Sequence, residues 1–382
     1  MVRELTKDAS PAQMTSRAPQ IAAGAFHASF LFDVADTIDL TKLVSIAGES
    51  VQPAPLRLRA TPSPERIQYA IPPLAANLAP VTVDGHVASM RAKIYDYGVI
   101  GVRFSFPYAG SWEDFVALCV AMRTGDRLSL LAQTFVKTII QGCAPALNQP
   151  HPPLEEDYFV SCVERLDPVL DAATLLEAHR AELVELMSAE NRKLAPEEVV
   201  EDTKLHFSYY PDDLVIVQWD SAFILDTPAN AEVILDLMEF ANSQLIELRT
   251  YDQQLDAELE NVYLKNRPRP RSWQPSRRRE TEEGAEKLGQ LLVDVRELVD
   301  RSSNALKIIG DAYYARVYRA LATRLGLDVW QRQVESKLAA VSEAYRYLTD
   351  QAQVARGEFL ELIVIALIGI EIIVGILGLR HP

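Results

Sequence analysis

The stretch RAKIYDYGVIGVRFSF, residues 91–106, indicates most directly how the amino-terminal part of this chain folds. Runs rich in Ile, Val, Tyr and Phe lie on both sides of Asp96-Tyr97-Gly98. β-Branched and aromatic residues favour strands, and a short segment that contains a glycine favours a turn between them. The stretch therefore predicts a β-hairpin.

Further strand-like and helix-like segments surround this hairpin. Strands are predicted at 25–34 and 157–166, with a second hairpin at 206–226 that turns at 211–213. Helices are predicted at 38–48, 111–122, 126–143 and around 168–189. The second of these helices starts with Ser111, a residue type that caps helix amino termini. The many prolines between 53 and 80 predict a loop or an edge strand. Strands and helices intermixed in this way predict an α+β domain at 21–228, after a disordered lead-in at 1–20.

The pattern becomes helical after Asp226-Thr227-Pro228. Apolar residues then recur every three or four positions, which predicts three helices at about 229–266, 281–325 and 328–356. Heptad-like spacing over several turns is typical of long helices that pack along narrow seams. The sequence predicts that 229–357 forms either a coiled-coil stalk or a compact three-helix bundle, and it does not decide between the two.

An arginine-rich loop, RPRPRSWQPSRRRE at 267–280, joins the first two of these helices. A solvated turn is the simplest interpretation of such a charge run. If the helices pack antiparallel, the loop instead lies level with the start of the apolar run that follows the third helix, where its cations could contact anionic lipid. If the loop extends further or bends away, the same cations could contact the phosphates of RNA or a ribosome. The candidate contact residues are Arg267, Arg269, Arg271, Trp273, Arg277, Arg278 and Arg279.

The chain ends with an apolar run, FLELIVIALIGIEIIVGILGL at 359–379, in which Glu361 and Glu371 are the only charged residues. A bilayer core is about 30 Å thick and needs roughly 20 apolar residues in a helix. The run therefore predicts a C-terminal transmembrane anchor at 358–382, with a single pass through the cell inner membrane and the bulk of the chain cytoplasmic. The lipid bilayer is then a partner.

Polar and small residues within this run predict contacts between copies of the helix. Glu371 lies near the middle, where an ionised acid is costly unless it is neutral or paired. Glycines allow helices to approach closely. The candidates for such contacts are Glu361, Gly369, Glu371, Gly375 and Gly378. A homo-oligomer is expected, with a tolerated neutral glutamate as the alternative interpretation.

Composition and motifs point away from several classes of function. The net charge is −15, which excludes bulk electrostatic attraction to nucleic acid. The three cysteines have no metal-ligand spacing, and no phosphate loop, dinucleotide fingerprint or hydrolase motif occurs. His151 precedes Glu155-Glu156-Asp157, which suggests a solvated loop. No catalytic, cofactor-binding or metal-binding residue, no cofactor and no small-molecule ligand is predicted.

Four segments of the chain form a recognisable set: DYGVIGVRFSF at 96–106, DTP at 226–228, LIELRTYDQQLDAEL at 245–259 and LELIVIALIGIEII at 360–373. Together they resemble the required-for-meiotic-nuclear-division protein family. The resemblance covers about residues 20–380 and implies a membrane-anchored protein of largely unknown function. By this resemblance, the mitochondrial member sits in the inner membrane and supports translation by holding ribosomes near sites of transcript processing, so translation machinery is the implied partner. The resemblance implies no established enzyme activity.

The sequence as a whole predicts a tail-anchored, self-associating scaffold that holds a partner at the cytoplasmic membrane face. The alternative is an enzyme whose α+β domain acts on a membrane-proximal substrate.

Overall fold

A nine-stranded mixed β-sheet is the centre of the fold, which is α+β. The computed structural model describes residues 19–54, 71–188, 194–265, 289, 293, 295–296 and 311–378. The strands are β1 Gln20–Ile38, β2 Ser45–Ile46, β3 Glu49–Ser50, β4 Gln52–Pro53, β5 Leu74–Val83, β6 His86–Ile94, β7 Val99–Gly110, β8 Leu147–Asp167, β9 His206–Phe207, β10 Leu214–Val217 and β11 Ser221–Leu225. The helices are α1 Trp112–Arg123, α2 Arg127–Cys143, α3 Ala172–Ala178, α4 Arg180–Ser188, α5 Pro196–Asp202, α6 Pro228–Lys265, α7 Ala312–Arg324 and α8 Leu327–Gly378.

The strand order in the large sheet is β4-β5-β6-β7-β1-β8-β11-β10-β9. All neighbouring pairs are antiparallel except β8 and β11, which run parallel. β1 lies near the middle and pairs with both β7 and β8. Because successive side chains of a strand point to opposite faces, this central strand contributes to the layers on both sides of the sheet.

One face of the sheet carries the main hydrophobic core. Phe26 of β1 stacks on Phe159 of β8 with ring centroids 6.1 Å apart, and Phe30 meets Phe104 of β7 edge-on at 6.0 Å. Buried side chains of α1, α2, α3 and α4 belong to the same hydrophobic cluster. The helices that follow β7 and β8 therefore cover this face.

Helix α6 covers the other face and is itself buried. Every residue from 237 to 248 is buried. On the sheet side, Asp236 accepts a hydrogen bond from Lys93 Nζ of β6 at 2.7 Å. On another side, Tyr318 of α7 stacks on Phe240 and donates its hydroxyl to Gln244 Oε1 at 2.5 Å. The sheet thus lies between α1–α4 and the first part of α6.

The chain divides into two compact units, one of residues 1–250 with 301–329, and one of 251–300 with 330–382. In the second unit, the end of α6 pairs with α8. Lys337 Nζ lies 2.7 Å from a carboxylate oxygen of Asp252, and Tyr345 Oη lies 2.8 Å from Glu258 Oε2. Because the partners advance together along both helices, α6 and α8 run parallel here. The predicted domain boundaries stay a prediction.

The hairpin predicted around Asp96-Tyr97-Gly98 is confirmed, since β6 and β7 pair antiparallel across this turn. The helix predicted at 38–48 is wrong. Only a 3₁₀ turn at Leu40–Lys42 forms there, followed by β2 and β3. The strand predicted at 214–226 is interrupted at 218–220, so that β10 and β11 form a hairpin of their own.

The predicted coiled-coil stalk is wrong. In the parts of the chain that the structure describes, no long coiled-coil stalk is present, because α6 is buried on all sides over 237–248. A helix in a coiled coil packs along one narrow seam and leaves its other positions in water. The heptad-like spacing instead belongs to a helix that has the sheet on one side and α7 on another.

The predicted C-terminal transmembrane anchor is also wrong. Among the helices of the described residues, none has a stretch long and apolar enough to cross a membrane. Glu361 and Glu371 interrupt the apolar run, and the uncharged stretch between them, 362–370, is nine residues long. At about 1.5 Å per residue, such a stretch covers less than half of a bilayer core of about 30 Å. The prediction that the chain crosses the inner membrane once is wrong for the same reason.

Candidate functional site

Three cationic side chains lie side by side on the sheet face below α6. Arg91 and Lys93 alternate with Ala92 and so share one face of β6. Arg103 of β7 lies directly opposite Arg91 in the strand register. Lys93 and Arg103 are buried, whereas the Arg91 side chain keeps 29% of its exposure. The hairpin therefore presents three positive charges, two of them in the protein interior.

Three acidic side chains on α6 pair with these cations. Glu232, Asp236 and Glu239 follow one another at spacings of four and three residues, which places them on one helix face. Lys93 Nζ donates to Asp236 Oδ1 at 2.7 Å and to Glu239 Oε2 at 2.5 Å. These contacts bind α6 to the sheet.

The two arginines share one carboxylate oxygen. Arg91 Nη1 donates to Glu232 Oε1, and Arg103 Nη2 donates to the same atom at 2.5 Å. Arg103 Nε also lies 3.4 Å from Glu239 Oε1. The six side chains Arg91, Lys93, Arg103, Glu232, Asp236 and Glu239 are called the ion layer below.

The charges of the ion layer set the protonation of its members. Burial alone would raise the pKa of Glu239, but the positive charges of Arg103 and Lys93 lower that pKa to about 2. Burial alone would lower the pKa of Lys93, yet the carboxylates of Asp236 and Glu239 raise it above the ordinary value for lysine. Both groups are therefore charged at neutral pH, as a buried ion pair requires.

His27 of β1 lies at the border of the ion layer. Its Nδ1 is 2.8 Å from Ser105 Oγ of β7. Burial, followed by the charge of Arg103, lowers the pKa of His27 to about 3. The imidazole is therefore neutral at physiological pH and adds no fourth positive charge to this face of the sheet.

One polar atom of the ion layer lacks a hydrogen-bond partner among the described residues. Arg103 Nη1 is buried and has no hydrogen-bond acceptor among the residues that the structure describes. Glu232 is the most accessible acid, since its side chain is 43% exposed, compared with 12% for Asp236 and 9% for Glu239. The layer thus combines a spare buried donor with a carboxylate that reaches water.

A pocket of about 460 Å³ adjoins Arg91. It lies where β3, β4, β5 and β6 meet, and its polar lining residues are Glu49, Ser50, Gln52, Asn77 and Arg91. Pockets that bind small molecules typically measure about 300–1,000 Å³. The pocket therefore has the size of a small-molecule site, and Arg91 is one of its lining residues.

A second cluster lies around Asp33 and corrects the interpretation of His151 as part of a solvated loop. His151 belongs to β8, and its Nε2 lies 3.4 Å from Asp33 Oδ1. Its Nδ1 lies 3.2 Å from the carbonyl oxygen of Pro152. Burial would lower the pKa of His151, but the hydrogen bond to Asp33 raises it. Acceptors near both ring nitrogens favour the protonated form of the imidazole.

The acidic triplet 155–157 does not form a metal site. Glu155 accepts hydrogen bonds from Ser129 Oγ at 2.6 Å and from Gln133 Nε2 at 2.7 Å, both on α2. Glu156 pairs with Arg249 of α6, on the opposite face of the sheet. Within the described ranges, no group of three or more His, Cys, Asp or Glu side chains is arranged to hold a metal ion.

The structure describes only part of the residues that were predicted as sites from the sequence. The arginine-rich loop with Arg267, Arg269, Arg271, Trp273, Arg277, Arg278 and Arg279 falls outside the described residues. The positions of Glu361, Gly369, Glu371, Gly375 and Gly378 are all helical in α8. Of these five, the surroundings are described for Gly369, where an added Cβ would meet open space. The five positions on α8 belong neither to the ion layer nor to the pocket lining, and the predicted contacts of both sets stay predictions.

The ion layer itself was not predicted from the sequence. A signal for it exists, because Arg91, Lys93 and Arg103 sit at alternate positions of strands whose other face is apolar. On α6, acids at spacings of four and three residues are a matching signal. Neither pattern shows that the two segments meet, since more than 125 residues separate Arg103 from Glu232 along the chain.

The fold and the site define a class: an α+β protein with a nine-stranded mixed sheet and a buried ion layer between sheet and helix. The model of the family described as "Uncharacterized protein MJ0711, N-terminal domain" matches residues 23–232, more than half of the chain. The chain belongs to this family.

Comparison with a curated protein points to the same family. The uncharacterized protein MJ0711 of Methanocaldococcus jannaschii is 24% identical over 221 residues, which are 58% of this chain and 66% of that protein. The chain thus spans just under two thirds of this relative's length. No solved structure matches the chain. The resemblance to the required-for-meiotic-nuclear-division family stays a prediction.

Proposed function

We propose that this protein is a self-associating scaffold that holds a partner, and not an enzyme. The observation that carries the proposal is a run of exposed apolar side chains on α8. Each of them keeps between 50% and 59% of its exposure: Val364, Ile365, Leu367, Ile368, Ile370 and Ile372. Contiguous apolar surface of this kind marks interaction sites in folded proteins.

The exposed side chains spread around more than half of the helix. An α-helix turns about 100° per residue, so positions 364, 365, 367 and 370 span about 220° of its circumference. This apolar surface is wider than the stripe of an ordinary amphipathic helix, so it needs more than one neighbour to cover it. One docking partner on one face would leave much of this surface in water.

A second copy of the chain is the occupant that we propose. Copies related by symmetry bring the same apolar positions together, so each copy covers the surface of the other. Gly369 supports close approach of the helices, since the space where a Cβ would sit is open. A bundle of identical α8 segments would cover all sides of each helix and leave the sheet domains to hold the partner.

The test compares the mass of the full-length chain with that of two variants. Leu367 and Leu130 are both leucines with 59% exposure, but Leu130 lies on α2, far from this run in sequence. We expect Leu367→Glu to weaken association about tenfold or more, because burying a leucine contributes about 1.5–3 kcal/mol and a buried carboxylate adds a cost. Leu130→Glu should leave the mass unchanged.

Light scattering coupled to size-exclusion chromatography gives these masses over a range of protein concentrations. A wild-type chain that stays monomeric at the highest concentration overturns the proposal. So does a Leu367→Glu variant that assembles as the wild type does.

A further inference from the structure

We infer that Arg91 and Arg103 form a binding site for a small organic anion, a molecule with one phosphate or carboxylate group, and that Glu232 occupies this site as an internal competitor. The inference does not depend on self-association. It combines the shared oxygen of Glu232, the spare donor of Arg103 and the pocket beside Arg91.

The two arginines already bind an oxyanion in the way that a ligand would require. Both guanidinium groups donate to Glu232 Oε1, Arg91 through Nη1 and Arg103 through Nη2. Arginine is well suited to phosphate and carboxylate because its planar donors match two oxygens at once. One carboxylate oxygen between two guanidinium groups leaves part of that capacity unused.

The unused capacity is visible at Arg103 Nη1. This atom is buried without a hydrogen-bond acceptor in the described part of the chain. An unpaired buried donor carries a free-energy cost that a suitable acceptor removes. A phosphate group has more acceptor oxygens than the one that Glu232 supplies to the two arginines, and it could accept from this donor as well.

Glu232 is able to leave. Its side chain is 43% exposed, so its carboxylate can turn into water, and the buried Arg103 then keeps Glu239 Oε1 at 3.4 Å from its Nε. Asp236 and Glu239 keep their contacts with Lys93 when it does, because those contacts do not involve Glu232. The ion layer would therefore stay attached to α6 while one oxyanion replaces another.

The pocket supplies space for the remainder of the ligand. Arg91 lines it together with Ser50, Gln52 and Asn77, which are residues with polar side chains. These groups can bond to hydroxyl or amide groups, whereas Glu49 in the same lining disfavours a second negative charge on the ligand. The volume of about 460 Å³ suits a small metabolite rather than a polymer.

Titration calorimetry with inorganic phosphate and with glycerol 3-phosphate tests the inference. We expect Glu232→Gln to bind glycerol 3-phosphate about tenfold more tightly than the wild type, because a neutral amide competes less well for two guanidinium groups. Arg91→Gln should lose saturable binding. Arg127→Gln removes an exposed arginine that pairs with Asp84, and it should bind as the wild type does.

The tightening expected for Glu232→Gln is a gain that misfolding cannot produce. Equal affinity of the wild type and Glu232→Gln would overturn the inference, as would wild-type affinity in Arg91→Gln. Absence of saturable binding to both chains up to about 10 mM ligand would also overturn it, since this limit corresponds to a very weak site. Tighter binding of glycerol 3-phosphate than of inorganic phosphate supports the contribution of the pocket.

Discussion

Glu239 is the acid on which the ion layer depends most. It is buried, and it contacts both Lys93 at 2.5 Å and Arg103 at 3.4 Å. A buried ion pair is weak support for a fold when both partners are considered together, because dehydration of the charges offsets their attraction. Removal of one partner is different, since it leaves the opposite charge buried.

We therefore expect Glu239→Gln to lower the free energy of unfolding by about 3 kcal/mol or more, as found when one member of a buried pair is removed. Glu201→Gln is the matched control. Glu201 pairs with Lys204 at 3.1 Å, but its side chain is 54% exposed, so we expect a change within about 0.5 kcal/mol. Urea unfolding followed by circular dichroism measures both, and equal midpoints for the two variants would contradict the assignment.

His27 gives a prediction about pH. Its pKa is lowered to about 3 in the folded chain, by burial and then by Arg103, from an ordinary value of 6.5. The fold thus favours the neutral imidazole. This preference contributes fully to stability above the unfolded-state pKa of 6.5, and the contribution is lost as the pH falls from 6.5 towards 3. We expect the imidazole proton shifts of His27 to be constant between pH 7 and pH 5 in NMR spectra. A titration midpoint above about 6 would show that the ring is hydrated and ordinary.

At the scale of single elements, the hairpin of β6 and β7 depends on Gly98. Its φ is +92°, and an added Cβ would lie 1.7 Å from the carbonyl oxygen of Ala35. The carbonyl oxygen of Gly98 also accepts from the backbone nitrogen of Val34 at 3.1 Å. The turn is therefore pressed against β1, and backbone conformation and space both require glycine.

Gly98→Ala should consequently destabilise the chain by about 2 kcal/mol or more beyond the cost of the φ angle alone. Gly48 provides the comparison, since its φ is +87° and an added Cβ would meet nothing within 4 Å. Gly48→Ala should cost about 1–2 kcal/mol, the penalty for a left-handed residue with a side chain. Thermal unfolding of both variants measures the difference. Equal melting temperatures would mean that the turn moves away from β1 without cost.

Elements with local signals could be predicted from the sequence. Ser111 accepts a hydrogen bond from the backbone nitrogen of Asp114 at 3.1 Å, which is the cap that its position before a helix predicts. The turn at 218–220 was missed because Gln218, Trp219 and Asp220 include neither glycine nor proline. A turn of that composition is fixed by the pairing of β10 with β11, which no single segment reveals.

Helix α6 shows why the candidate site could not be predicted. Its length and periodicity predicted a helix, and a helix forms from Pro228 to Lys265. Asn242 and Gln244 are polar residues of this helix, and both are buried. Periodicity specifies which residues share a face of a helix, but it does not specify what covers that face. The role of the three acids on α6 becomes visible only when the sheet that carries their cationic partners is in place.

At the scale of the whole molecule, the apolar end of α8 shows the same limit. The length of the run 359–379 predicted a membrane span. The described side chains in it are exposed apolar groups, and no helix of the described residues qualifies as a span. The hydrophobicity of a segment indicates that its surface is buried against something, but it does not distinguish burial in lipid from burial against protein.

The ion layer also sets an order of events during synthesis on the ribosome. Lys93 and Glu239 are 146 residues apart in the chain, so the cationic hairpin is made long before its acidic partners. At about 5–20 residues per second, it waits for roughly 7–30 seconds. During that interval Lys93 and Arg103 lack the carboxylate of Glu239 that pairs with them in the folded chain. The ion layer can therefore form only after synthesis has passed residue 239, so the sheet and α6 complete each other late.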